Sequence, residues 1–204
     1  MSFLSLLDFA AVLVFALTGA LVASRAQLDL IGFGFFAGLT GLGGGTVRDI
    51  LLDRTPIWIV DPTYLAIAGV AAVLVFFTAH LLESRYNAIL WLDALALPVA
   101  VAAGAGVSHE LGQPWAIVLV MGVATGCAGG LMRDVVANEV PLVLKKGELY
   151  VTCAFVGSSA ILLTPWIGVL AAGAACAVLT FALRAGSLVW GWSLPVYKPR
   201  PPRR

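Results

Sequence analysis

Seven apolar stretches, each near the length that crosses a bilayer, follow one another along the chain: residues 4–24, 30–52, 63–82, 87–107, 115–137, 148–164 and 167–185. A spanning helix needs about 20 such residues. The interruptions are short and carry charge or turn residues. Arg25 to Asp29 closes the first stretch, and Asp53 to Pro62 holds Pro56 and Pro62. Glu83 to Tyr86 is charged, Ser108 to Pro114 holds His109, Glu110, Gly112 and Pro114, and Glu139 to Gly147 holds Pro141, Lys145 and Lys146. Thr164-Pro165 divides the last two. The pattern predicts an all-α membrane protein with seven transmembrane helices. No interruption could separate two soluble domains, so residues 1–189 are expected to form a single transmembrane domain. Residues 190–204, ending YKPRPPRR, read as a basic, proline-rich tail. The start, MSFLSLLDFAAVLVF, lacks the basic region of a secretory signal and is interrupted by Asp8, so it reads as a retained first span.

Within this pattern one motif occurs twice. Thr40 to Asp49 reads TGLGGGTVRD and Thr125 to Asp134 reads TGCAGGLMRD, 85 residues later. The same interval relates Asp8 to Asp93, Gly19 to Gly104, Gly44 to Gly129, Gly45 to Gly130, Arg48 to Arg133, Asp49 to Asp134 and Pro56 to Pro141. Each copy holds three spans: repeat one covers about 4–82, repeat two about 87–164, and the seventh helix, about 167–185, stands outside both. Because three is odd, the second copy enters the membrane from the opposite side. The halves are then inverted repeats, an architecture of many transporters.

The doubled motif places unfavourable residues inside apolar helices. Gly43, Gly44 and Gly45 follow one another in the second span, and Ala128, Gly129 and Gly130 do so in the fifth. Glycine is about 1 kcal/mol worse than alanine inside a helix, so a kink or unwound turn is expected in helices 2 and 5. Freed carbonyls facing a wet cavity could replace part of a cation's hydration shell. The outer pairs, Gly34 with Gly38 and Gly122 with Gly126, fit close helix packing. Arg48 and Arg133 each follow a motif glycine by one helical turn, and arginine at the membrane centre costs roughly 2.5–3.5 kcal/mol. Adjacent helical residues do not face each other. Asp49 and Asp134 are therefore expected to pair with another element, a cross-repeat pairing of Arg48 with Asp134 or Arg133 with Asp49 being one option, in a gating or field-shaping role. Asp8 and Asp93, a few residues inside their spans, read as interfacial anchors.

Composition narrows the class. The chain is 61% hydrophobic and 11% charged, against about 25% charged in soluble domains. A formal net charge of +1 and the lack of a basic, aromatic-interleaved groove argue against a nucleic-acid partner. Cys127, Cys153 and Cys176 are scattered in apolar runs, and His80 and His109 are isolated, so no metal, cofactor or catalytic set is expected and the chain is not read as an enzyme. The tryptophans Trp58, Trp91, Trp115, Trp166, Trp190 and Trp192 fall mostly near span ends, as an aromatic belt does. Arg25, Arg85, Lys145, Lys146, Arg184, Lys198, Arg200, Arg203 and Arg204 gather on one side of a seven-span topology, while Arg48 and Arg54 lean to the other. That bias puts the N-terminus outside and the C-terminus in the cytoplasm.

The paired motifs, Gly41 to Asp49 and Gly126 to Asp134, together with spans arranged as three plus three plus one, resemble the prokaryotic branch of the TRIC family, the trimeric intracellular cation channels. The resemblance covers nearly the whole chain. It implies a homotrimer in the plasma (inner) membrane of a bacterium or archaeon, embedded in membrane lipid, with one pore per protomer. Kinked helices 2 and 5 would line that pore, with Gly43 to Gly45 and Ala128 to Gly130 as the kinks, and permeant potassium or, less selectively, sodium in place of any cofactor. Ala128 departs from a full glycine triplet. The basic residues that bind phosphoinositide in animal members have no match here. A secondary transporter of a small solute such as glycine fits the same inverted repeat, and a non-transporting scaffold would leave the intramembrane charges unexplained.

Overall fold

With no water in the hydrocarbon, an apolar segment satisfies its own backbone amides as helix, and the chain does this seven times. The computed structural model describes residues 3–82, 84–145 and 149–195, and among these there is no strand. Lys146 and the tail from Tyr197 to Arg204 lie outside the described residues.

The first repeat comprises α1 (Phe3–Arg25), α2 (Leu30–Leu51), the short α3 (Ile57–Val60) and α4 (Thr63–Thr78), which ends in a 3-10 turn at Ala79–Leu81. The second comprises α5 (Arg85–Glu110), α6 (Trp115–Val136), a 3-10 turn at Leu142–Leu144, and α7 (Tyr150–Ser159), which continues through a 3-10 turn into α8 (Thr164–Ile167). The last span is α9 (Val169–Trp190). Asp29 caps α2 by accepting from Gly32 N at 2.8 Å. Ser84 caps α5 through Asn87 N at 3.3 Å, and α5 carries His109 and Glu110, expected in a loop, in its last turn. The sixth span breaks at Gly168, φ 80°, rather than at Thr164-Pro165. Pro165 sits in the first turn of α8, where its missing N–H breaks no helical bond.

The loops repeat along with the helices. Left-handed residues occur at Gln27 (φ 55°) and Gly112 (φ 68°), and again at Asp53 (φ 54°) and Asn138 (φ 56°). Each pair is separated by the 85-residue interval of the motifs. α1 packs on α2, α4 and α5, while α5 packs on α6 and α9. α2 crosses α6, and α9 also covers α7. The first repeat buries its own cluster, including Phe33, Phe36 and Val75, and the second buries Leu97, Val101, Val118 and Tyr150.

Of the kink or unwound turn expected at the glycines, the unwound turn does not occur. α2 is uninterrupted helix through Gly43–Gly45, and α6 through Ala128–Gly130, so neither forms an unwound turn. Their backbone groups stay in the helical ladder, and what the glycines provide is proximity. A methyl group on Gly44 would overlap the carbonyl oxygen of Thr125, and one on Gly129 would overlap that of Thr40. The two helix backbones therefore cross in reciprocal contact. The three glycines meet different neighbours: Gly43 faces the Met132 side chain, Gly44 the α6 backbone at Thr125, and Gly45 the Arg48 head, where a methyl group would make ordinary contact. The repeat appears again where Gly19 meets Phe36 and Thr40, and Gly104 meets Met121 and Thr125. Gly122 and Gly126 pack closely, as expected, against Ser158 and Val101. Gly34 and Gly38 do not: no atom stands within 4 Å of a methyl placed there, and both line a surface groove of about 440 Å³ with Phe35 and Trp58.

Replacing Gly44 or Gly129 with alanine should lower stability by about 1–3 kcal/mol through overpacking, whereas Gly38→Ala should leave it unchanged or raise it by up to about 1 kcal/mol through helix propensity. Thermal unfolding in detergent reads the difference. Equal melting temperatures for all three variants would contradict the backbone crossing.

Candidate functional site

An arginine side chain inside a membrane protein needs carboxylates and acceptors to replace water. Arg48 and Arg133 are both fully buried, one turn beyond the glycines at which α2 and α6 cross. Arg48 donates from Nη1 to Asp8 Oδ1 at 2.7 Å and from Nε to Asp49 Oδ1 at 2.9 Å. The other oxygen of Asp49 accepts the backbone N–H of Ile57 at 3.1 Å. Arg133 donates from Nη1 and Nη2 to the two oxygens of Asp93, at 2.8 and 2.9 Å, and from Nε to Asp134 Oδ1 at 2.8 Å. Asp134 Oδ2 accepts the N–H of Leu142 at 2.9 Å.

Each cluster is thus a guanidinium between two carboxylates, and the second carboxylate ties down the segment after Pro56 or Pro141. Three expectations are corrected. The pairs do not cross the repeats: Arg48 takes Asp8 and Asp49, and Arg133 takes Asp93 and Asp134. Adjacent residues do pair, because the long arginine side chain turns its Nε back toward its neighbour while its outer nitrogens reach another helix. Asp8 and Asp93 are not interfacial anchors, since Asp8 is 7% exposed and Asp93 is fully buried.

Because successive spans alternate in direction, α2 and α6 are antiparallel. The two clusters therefore lie on opposite sides of the glycine crossing, each about 6 Å along its helix axis from it. Between α1, α2, α5 and α6 lies a cavity of about 20 Å³, bordered by Asp8, Thr40, Gly44, Gly45, Ile57, Ala100 and Thr125. That is room for about one water molecule.

The family model described as glycine transporter matches the chain twice, over residues 5–80 and 90–166, once for each repeat. The structure of the TRIC trimeric intracellular cation channel orthologue from Rhodobacter sphaeroides superposes with a TM-score of 0.89 and 40% identity, over 94% of this chain and 100% of that one. The chain belongs to the TRIC family. A second prokaryotic TRIC channel structure aligns at 27% identity with a TM-score of 0.87, over 94% of this chain and 98% of that one. Among curated relatives, a UPF0126 membrane protein of Vibrio cholerae is 34% identical, covering 96% of this chain and 83% of its own. The UPF0126 inner membrane protein YadS of Escherichia coli is 33% identical over 94% of each. The solved TRIC relatives are channels and not enzymes.

Sequence reasoning missed several contributors in this TRIC homologue. The carboxylates of Asp8 and Asp93 were signalled by the repeat interval but assigned to the interface. Thr18, whose Oγ1 accepts from Arg133 Nη1 at 2.9 Å, comes from the other repeat and carried no signal. Arg184, counted among the charges of one membrane face, is fully buried in α9, its guanidinium carbon 5.0 Å from the centre of the Tyr150 ring. Tyr150 is itself buried beside Gly130.

Removing either member of the Arg133–Asp93 pair should destabilise the protein by about 3–5 kcal/mol, with the double variant less damaged than the two single losses added together. Combining Arg133→Ala with Asp49→Ala should instead give additive losses. At the half-exposed Arg25–Glu139 pair (3.1 Å), the same substitutions should cost under about 1 kcal/mol. Double-mutant cycles of unfolding free energy check all three.

Proposed function

We propose that the chain is a monovalent cation channel, permeable to potassium and to sodium, acting as a homotrimer in a bacterial or archaeal inner membrane with one pore per protomer. The passage runs between α1, α2, α5 and α6 and is lined by the glycine faces of α2 and α6. The observation that carries this reading is the formal charge of the two clusters. One guanidinium with two carboxylates leaves each at −1, so Arg48 with Asp8 and Asp49, and Arg133 with Asp93 and Asp134, form two negative sites flanking the crossing. Carboxylates beside a narrow passage raise cation occupancy and repel anions. The arginines keep each site from holding a cation too tightly to release.

With room for about one water, the cavity at the crossing corresponds to a closed conformation. Opening would bend α2 at Gly43–Gly45 and α6 at Ala128–Gly130, where Gly44 and Gly129 bring the two backbones together. Asp49 and Asp134 couple that movement to the segments at Ile57 and Leu142. The TRIC relatives, described as cation channels, support the reading. A secondary transporter of a small solute such as glycine is the second reading, favoured by the description of the matching family model and by the suitability of inverted repeats for alternating access. The N-terminus is taken to face outside and the C-terminus the cytoplasm.

In planar bilayers the purified protein should give discrete current steps that reverse at the cation equilibrium potential. Saturable glycine uptake without steps would select the transporter. Asp8→Asn or Asp93→Asn should lower cation-over-anion permeability about tenfold, the effect of removing one charge a few ångströms from the path, and unchanged selectivity in both would remove the clusters from the pathway. A reporter fused after Arg204 should be active only on the cytoplasmic side.

A further inference from the structure

The two halves repeat their ion-pair clusters but not the hydroxyl beside them. Arg133 makes four hydrogen bonds, three to Asp93 and Asp134 and one to Thr18. Arg48 makes two, one to Asp8 and one to Asp49, and lacks counterparts of the Thr18 bond to Nη1 and of the second Asp93 bond to Nη2. Thr18 is fully buried, and its own hydroxyl hydrogen is donated to Phe15 O at 2.8 Å. Only its lone pairs are left for Arg133, which suits a guanidinium donor. The residue in the matching place of the other half, 85 positions on, is Ala103, also fully buried, which carries no hydroxyl.

The segments held by the two aspartates differ in the same sense. Leu142, tied to Asp134, is 4% exposed and belongs to the core with Cys127 and Tyr150. Ile57, tied to Asp49, is only partly buried and borders the cavity. One end of the molecule is therefore bonded across the repeats and packed, while the other is bonded within its own repeat and adjoins a void.

We propose that Thr18 is a cross-repeat latch that makes the Arg133 end the limiting gate, with the Arg48 end the first to yield. This rests on the channel reading. Moving α6 outward at Arg133 breaks a bond to α1 as well as those to α5, so the Arg133 end opens only when both helices release it. Moving α2 at Arg48 breaks one bond to α1. Thr18 acts through Arg133 and is a positioning residue, not part of the lining.

Thr18→Val, which keeps the shape and removes the acceptor, should raise open probability about tenfold, the effect of losing one hydrogen bond to a charged group, with unitary conductance and selectivity unchanged. Thr18→Ser should gate like the parent. In parallel, amide exchange should be faster at Ile57 than at Leu142 in the parent protein. Thr18→Val should speed exchange at Leu142 alone, and Ala103→Ser, which puts a hydroxyl at the position matching Thr18, should slow it at Ile57. Unchanged open probability in Thr18→Val, or no change in exchange at Ile57 when Ala103 becomes serine, overturns the latch. If the parent shows no current steps, the channel reading falls, and the exchange measurements still decide whether Thr18 restrains Arg133. Should Thr18→Val fail to fold, Ala103→Ser carries the test by itself.

Discussion

Two guanidinium groups buried in the middle of a membrane protein set the terms for everything around them. Neither can shed its proton to escape the cost of burial, so each must be met by carboxylates held within hydrogen-bond reach. The carboxylates come from the first helix of the same repeat and from the residue next to the arginine. That requirement fixes the separation of α1 from α2 and of α5 from α6 at the level of the clusters. It also anchors the segments after Pro56 and Pro141 through the second oxygens of Asp49 and Asp134.

The glycines answer a geometric demand created by the same arrangement. For both arginines to sit near the centre, α2 and α6 must cross with their backbones in contact, and any β-carbon at Gly44 or Gly129 would hold them apart. The crossing is built on backbone contact at Gly44 and Gly129, with the Met132 side chain seated against Gly43 beside it.

Duplication accounts for the near-symmetry of the fold, down to the left-handed residues that end equivalent helices. The departures from symmetry are few: Thr18 against Ala103, a buried Leu142 against a partly buried Ile57, and a seventh helix that brings Arg184 over Tyr150 on one side only. All three add contacts to the second half. These differences make the two ends of the fold inequivalent.

The seven spans, the inverted repeat and the importance of the Gly-Arg-Asp motif follow from the chain alone, because apolar length, an odd number of spans per repeat and the high cost of buried charge are properties of the one-dimensional pattern. The loss at Pro165 and the gain at Gly168 show the limit of local signals: a proline is tolerated in a first helical turn, and which break ends the span depends on backbone conformation. Pairing was not legible. Arg48 and Arg133 could reach several carboxylates by spacing, and only the packing of α1 on α2 and of α5 on α6 selects Asp8 and Asp93 over the cross-repeat aspartates. The role of the glycines was also undetermined, since the same triplet serves an unwound turn or a close crossing. Which one forms depends on whether another backbone lies opposite, and that is decided when α6 packs across α2.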